Sequence, residues 1–203
     1  MTEVITYVEA IRRALRQALL DDDRVVVLGE DVGAGGGAFR ATEGLLDEFG
    51  PNRVIDTPIC EAAFTGAAVG MALDGMRPIV EFQFADFLTS GMNAIVNTAA
   101  KMHFRHRIPV PLVVRAPAAG GFAGGPFHSQ NPEAWFLRVP GLKVCAPATA
   151  EDAGLLLGAA ISDPNPVIFF EQKSLYTRVK GEASYDPAAP LAEIGRASCR
   201  ERV

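Results

Sequence analysis

In the stretch DTPICE, residues 56–61, a carboxylate at Glu61 stands immediately before AAFTGAAVGMALDG, the longest small and apolar run of a 203-residue chain. Two readings fit that placement. An acidic side chain in the first turn of a helix is stabilised by the helix dipole by about 0.3–1 kcal/mol, with Thr57 as cap and Pro58 in the first turn. Alternatively, a helix this small and apolar all round is deeply buried and closely approached by another backbone. A carboxyl group buried in that way titrates nearer neutrality and can trade a proton with a basic nitrogen of a ligand.

Other residues of chemical interest are fewer. His128, in FHSQNPEAW after a glycine-rich loop, is placed for proton transfer or is simply a loop histidine. Ser129 beside it lacks the G-x-S-x-G elbow of a hydrolase nucleophile. His103 and His106 have the i,i+3 spacing of a metal pair, but no third ligand is near and cations suit a helix C-terminus. Neither GAGGGAF nor GGFAGGPF has the phosphate-loop or dinucleotide pattern, so both read as flexible loops. Asp163-Pro164-Asn165-Pro166 reads as a turn.

The elements that must position these residues alternate. Thr6-Tyr7-Val8-Glu9 has the form of a capping box, and Val8, Ile11, Leu15, Ala18 and Leu19 continue at helical spacing. Apolar, β-branched runs predict strands over 25–28, 53–55, 78–84, 110–115, 143–146 and 167–171. Helices are predicted over 42–49, 61–74, 87–104, 132–137 and 150–162. This order specifies an α/β fold, a mostly parallel sheet with helices on both faces, in which ligands bind beyond the carboxyl ends of the strands. After Glu171 the composition turns to that of a linker.

Hydrophobic residues are 49% and charged residues 21% of the chain, which excludes a wholly disordered protein. The net charge of −5 and the lack of a basic run give no footprint for nucleic acid. The longest apolar run is too short to span a membrane, and three cysteines without paired spacing point to free thiols, so a soluble, cytoplasmic protein is expected.

Taken in order, LGEDVGAGGGAFRATEGL, RVIDTPICEAAFTGAAVGMALDGMRPIVEFQFADF, PFHSQNPEAWF, PGLKVCAPAT and DPNPVIFFEQKSLY closely resemble the β subunit of thiamine-diphosphate-dependent 2-oxoacid dehydrogenases, the pyruvate, branched-chain and acetoin enzymes. The resemblance runs from near Thr6 to about Ile194 and implies a transketolase-like pyrimidine-binding domain over residues 1–180. It makes Glu61 the carboxylate that hydrogen-bonds the cofactor pyrimidine and favours its imino tautomer. Glu30 is implied as a supporting acid, Ile59 and Gln83 as cofactor-lining positions, and Phe87 as the stacking ring, here without a tyrosine hydroxyl. His128 is implied in reductive acylation of the lipoyl group. A monovalent cation, K⁺, bound in some members would fall at Val110, Leu112, Val113, Ala160, Asp163 and Asn165.

The family holds the cofactor's diphosphate and Mg²⁺ through a GDG motif on an α subunit, and no GDG occurs here. The resemblance therefore implies an α₂β₂ heterotetramer docked on a lipoyl acyltransferase core, with no membrane partner. A split transketolase shares the domain but not HSQNPEAW followed by PGLKV, and a non-catalytic pairing module is the remaining alternative. Residues 181–194 read as a linker toward an absent C-terminal domain. The abruptly Arg-rich 195–203, GRASCRERV, reads as a non-native tail that back-translates to a sequencing adapter.

Overall fold

The computed structural model describes residues 3–121, 124–182, 185 and 200–201. Among them, six parallel strands form one sheet: β2 (Val25–Gly29), β3 (Val54–Asp56), β4 (Arg77–Glu81), β5 (Val113–Ala118), β6 (Lys143–Cys145) and β7 (Val167–Gln172). Their spatial order is β3-β2-β4-β5-β7-β6. The α/β architecture expected from the alternating pattern is thus the one found. Because successive strand residues face opposite ways, Val25 and Val27 enter one core and Val26 and Leu28 the other. Val167 and Phe169 divide from Ile168 and Phe170 in the same manner. A strand buried on both faces needs this unbroken apolar run.

On one face lie α1 (Tyr7–Asp21) and α7 (Ala150–Ser162), packed against each other. Thr6 caps α1 by accepting from the Glu9 amide, but the reciprocal arm is missing, since the Glu9 carboxylate takes Arg12 and Arg13 instead. The fully buried aromatic at the start of α1 is Tyr7, whose hydroxyl donates to the Pro147 carbonyl at 3.1 Å, while Val8 is only partly covered. The opposite face carries α3 (Glu61–Leu73) and a continuous helical stretch over 85–106. This stretch passes through a 3₁₀ turn (Ala85–Phe87), α4 (Leu88–Met92), a π-helical segment (Asn93–Ala99) and α5 (Ala100–His106). Two further short α-helices lie among the described residues, α2 (Leu45–Phe49) and α6 (Glu133–Phe136).

Three expectations are corrected. The residues just after Glu171 are packed: Lys173 and Tyr176 are buried, and β8 (Lys180–Glu182) pairs antiparallel with β1 (Val4–Thr6). The aromatic and apolar members of SLYTRV, not its polar average, decide this. The loop GAGGGAF is built rather than loose. Asp56 accepts from the amides of Gly33 and Ala34, Gly37 donates to the Asp31 carbonyl at 2.8 Å, and buried Thr42 donates to the Val32 carbonyl at 2.7 Å. Nor does Thr57 cap α3, since Cys60 is the N-cap residue and no side chain bonds there.

Of the expected linker and tail, 181–194 and 195–203, Gly181 and Glu182 belong to β8, and of the rest all but Tyr185 and the backbone of Arg200–Glu201 lie outside the described residues. That dipeptide, β9, pairs antiparallel with β6.

Candidate functional site

The carboxyl ends of β2, β3, β4, β5 and β7 all open toward one end of the sheet, because the strands are parallel. Glu30 follows β2, Ile59 and Glu61 follow β3, Gln83 and Phe87 follow β4, His128 follows β5, and Lys173 follows β7. Residues far apart in sequence therefore share one rim.

Glu61 opens α3 and is half-buried, while the deep burial expected there falls on its neighbour Glu30, which is 5% exposed. Burial, then the charges of Glu61 and Asp31, push the Glu30 carboxyl above its ordinary range. Its Oε1 makes no hydrogen bond among the described residues, so a buried acceptor or acid points at the rim without a protein partner. Gln83 donates to Asp31 at 3.2 Å. Ile59 is 82% exposed and Cys60 beside it is an exposed thiol, whereas Cys145 is buried.

Aromatic rings form the adjoining wall. His128 meets Phe84 edge-on at 4.7 Å between centroids and Phe87 at 5.6 Å, and Phe84 and Phe87 meet each other at 5.9 Å. The series continues inward through Phe39 and Tyr176 to Tyr7. His128 Nδ1 lies 3.1 Å from the Gly124 carbonyl, which can only accept, so Nδ1 carries the proton and Nε2 is the nitrogen left to exchange one.

Among the described residues, the all-round apolar α3 is covered on one side only. Phe64, Thr65, Ala68, Val69 and Ala72 face the core, while Ala62, Ala63, Gly66, Ala67 and Gly70 are exposed, and a Cβ added at either glycine would meet nothing within 4 Å. Close approach occurs instead at Gly91 of α4, where a Cβ would lie 2.8 Å from Thr65 Oγ1 and 2.9 Å from Phe82.

A match to the family described as "Transketolase, pyrimidine binding domain" covers residues 3–179. The chain belongs to the transketolase pyrimidine-binding domain family. This pyrimidine-binding domain is 49% identical over 199 residues to the 2-oxoisovalerate dehydrogenase subunit beta of Bacillus subtilis (strain 168), covering 97% of this chain and 60% of that protein. It is 48% identical to the pyruvate dehydrogenase E1 component subunit beta of Acholeplasma laidlawii, covering 88% and 55%. The chain thus spans little more than half the length of these relatives. A solved split-gene transketolase, described as an inactive beta4 tetramer, has the same fold with TM-score 0.68 at 21% identity, covering 92% of this chain and 56% of that one.

Beneath the rim of the pyrimidine-binding domain lies a buried charge cluster that strand patterns did not single out. Arg115 (0% exposed) donates through Nε to Glu171 Oε1 at 2.6 Å, through Nη2 to Glu171 Oε2 at 2.9 Å, and through Nη1 to Glu81. Parallel register sets this up, because Glu81 pairs with Arg115 across β4 and β5, and Glu171 sits two positions beyond the partner of Arg115 on β7. Tyr176 donates to Glu171 at 2.6 Å. Burial pushes the Glu81 carboxyl up; Arg115 opposes this and Glu171 adds to it. Burial disfavours the Arg115 charge, but the facing carboxylates more than offset this and hold its pKa above the ordinary value. Gly37, at φ +79°, must stay bare because a Cβ would run into the Glu81 carboxylate. A charge inside each otherwise apolar run, as in IVEF, VVRAP and FFEQ, was the available signal.

The residues of the cation reading also converge, at the amino ends of β5 and β7. Val110 donates to the Pro164 carbonyl and Val167 to that of Leu112. The Ala160 carbonyl accepts from the Asp163 amide, and Asp163 is engaged by Lys143 at 2.6 Å and by Asn165. Val113 is buried at the start of β5. Among the described residues no three His, Cys, Asp or Glu side chains form a metal cluster, His103 and His106 included, and no helix is long and apolar enough to cross a membrane.

Proposed function

We propose that this chain is the pyrimidine-binding part of the β subunit of a thiamine-diphosphate-dependent 2-oxoacid dehydrogenase. The observation that carries the reading is the paired carboxylates at the strand ends, Glu61 at the mouth of α3 and buried Glu30 with an unpartnered oxygen. They suit an aminopyrimidine, a flat base whose ring nitrogens accept or release protons. The Glu61 charge helps raise the Glu30 carboxyl, and Glu61 at the mouth of α3 is the group placed to hydrogen-bond a ring nitrogen. Phe87 offers a face to the ring, and Gln83 and Ile59 line its edges. When bound, thiamine diphosphate supplies the nucleophilic carbon and electron sink for decarboxylation.

His128 acts through Nε2 as proton donor during acyl transfer to a lipoyl group. The open apolar side of α3, with Ile59 above it, is where an α subunit carrying the diphosphate and Mg²⁺ site docks, giving an α₂β₂ assembly on a lipoyl acyltransferase core. A K⁺ ion at the turn after α7 would be held by the carbonyls of Val110, Leu112, Val113 and Ala160 with Asn165, since the Asp163 carboxylate is engaged by Lys143. The exposed free thiol of Cys60 suits a reducing cytoplasm.

The test is reconstitution of the full-length β chain with its α subunit, assayed on pyruvate and on branched-chain 2-oxoacids in K⁺ and in Na⁺ buffers. We expect thiamine-diphosphate-dependent decarboxylation by the pair and none by the β chain alone. Glu61→Ala should lower it by about 10²-fold or more, and K⁺ should raise thermal stability above Na⁺. Turnover by the β chain alone, or an active Glu61→Ala pair, refutes the assignment, and indifference to K⁺ refutes the cation site.

A further inference from the structure

Lys173 contributes nothing to the site as read from sequence, yet it is the one lysine of the rim that is buried, at 7% exposure. Lysine is among the side chains least often buried without a partner. Its Nζ donates to the His128 carbonyl at 2.6 Å and lies 5.0 Å above the centre of the Phe84 ring, the ring that His128 meets edge-on. Burial works to lower its pKa while nearby Asp86 favours the charge.

The same turn is tied on its other side. Asp86 Oδ1 accepts from the Gln130 amide at 3.2 Å, and the Gln130 carbonyl accepts from the Ala119 amide at 2.9 Å. Those ties hold the chain after His128, whereas Lys173 holds the carbonyl of His128 itself. Its root is rigid, because Lys173 directly follows β7, whose Glu171 is clamped by Arg115 and Tyr176.

We propose that Lys173 is a positioning residue that latches the His128 turn to the end of β7, holding the imidazole against Phe84 and Phe87 with Nε2 free toward the rim. The consequence for acyl transfer rests on the proton-transfer reading of His128 given above. A charged hydrogen bond to a main-chain carbonyl suits this role, since it restrains the turn without occupying either ring nitrogen.

The experiment compares wild type, Lys173→Met, which keeps the stem and removes the donor, and Lys173→Arg, which keeps a charged donor. On the chain itself, hydrogen exchange over residues 124–130 and the ¹⁵N signals of the His128 ring are measured. In the full-length chain reconstituted with its α subunit, decarboxylation with an artificial electron acceptor is compared with acyl transfer to a lipoyl domain. We expect Lys173→Met to speed exchange of this segment roughly 10- to 100-fold, the worth of one charge-assisted hydrogen bond. The single Nδ1–H tautomer signal should be lost, and acyl transfer should fall by about 10-fold or more with decarboxylation largely kept. Lys173→Arg should recover most of each.

Wild-type exchange and tautomer in Lys173→Met, or arginine performing no better than methionine, overturns the latch. The wild type gives a check that needs no variant: unprotected amides over 124–130 would equally overturn it. Loss of decarboxylation in the wild-type pair would instead sink the function assigned above, leaving exchange and ring signals to judge the latch.

Discussion

Replacing Arg115 by leucine removes the one cation between two carboxylates that are 2% and 0% exposed, Glu81 and Glu171. Three charge-assisted hydrogen bonds disappear. At about 1.5–3 kcal/mol each they set a nominal loss of about 4.5–9 kcal/mol. The loss has a ceiling, because a stranded carboxylate can take a proton instead. Protonating a group with an ordinary value of 4.5 at pH 7 costs about 3.4 kcal/mol, from 2.5 units at 1.36 kcal/mol each. One or two such protonations bracket the cost of Arg115→Leu at about 3–7 kcal/mol, within reach of the whole stability of a domain, about 5–15 kcal/mol. The ceiling falls by about 2.7 kcal/mol per carboxylate on going to pH 5. The variant's deficit must therefore shrink on acidification, and adding Glu81→Gln and Glu171→Gln should recover much of it, since an unpaired buried charge is what makes the single change severe. Urea unfolding followed by far-UV circular dichroism at pH 7 and pH 5 measures all three proteins. A deficit under about 1 kcal/mol, or one independent of pH, would refute the reasoning.

Glu30 leads to a prediction of opposite sign. Its carboxyl is raised in the folded state, so the native protein holds a proton that the unfolded chain releases; the stability this gives is complete at acid pH and is lost as pH rises through the raised value. Glu30→Gln should melt higher than wild type at pH 7 without cofactor, the two converging below about pH 4.5; a variant less stable at pH 7 would contradict it. Glycine replacements separate the two sides of α3. Gly91→Ala forces a Cβ against Thr65 and buried Phe82 and should lose about 1 kcal/mol net, overpacking outweighing helix propensity. Gly66→Ala, with open space around it, should gain up to about 1 kcal/mol in the isolated chain. Equal signs in a denaturation series would show that the two sides are not packed as described.

The order of elements was legible because parallel strands buried on both faces must be continuously apolar, and the residues between them must be helical to return the chain. Helix 150–162 is found with the same bounds, and strand ends moved by up to three residues, as at 110–115, which begins as a strand only at Val113. Less legible was anything depending on which surface remains uncovered. The composition of α3 called for burial on all sides, yet among the described residues half of it is open, since composition reports the final environment, including surfaces another polypeptide covers.

At the site, the apolar runs already placed Glu30, Ile59, Glu61, Gln83, Phe87 and His128 at or just beyond strand ends, and so along one rim. Their states emerge only in the folded chain. It made Glu30 rather than Glu61 the deeply buried acid, set the His128 tautomer through the Gly124 carbonyl, and brought Lys173 beneath the histidine across 45 residues. It also joined Glu81, Arg115 and Glu171 into one cluster. The physical reason is that position along a strand is local and carries a sequence pattern. Burial, hydrogen-bond partnership and charge proximity depend on strand order and register, which only the assembled sheet supplies.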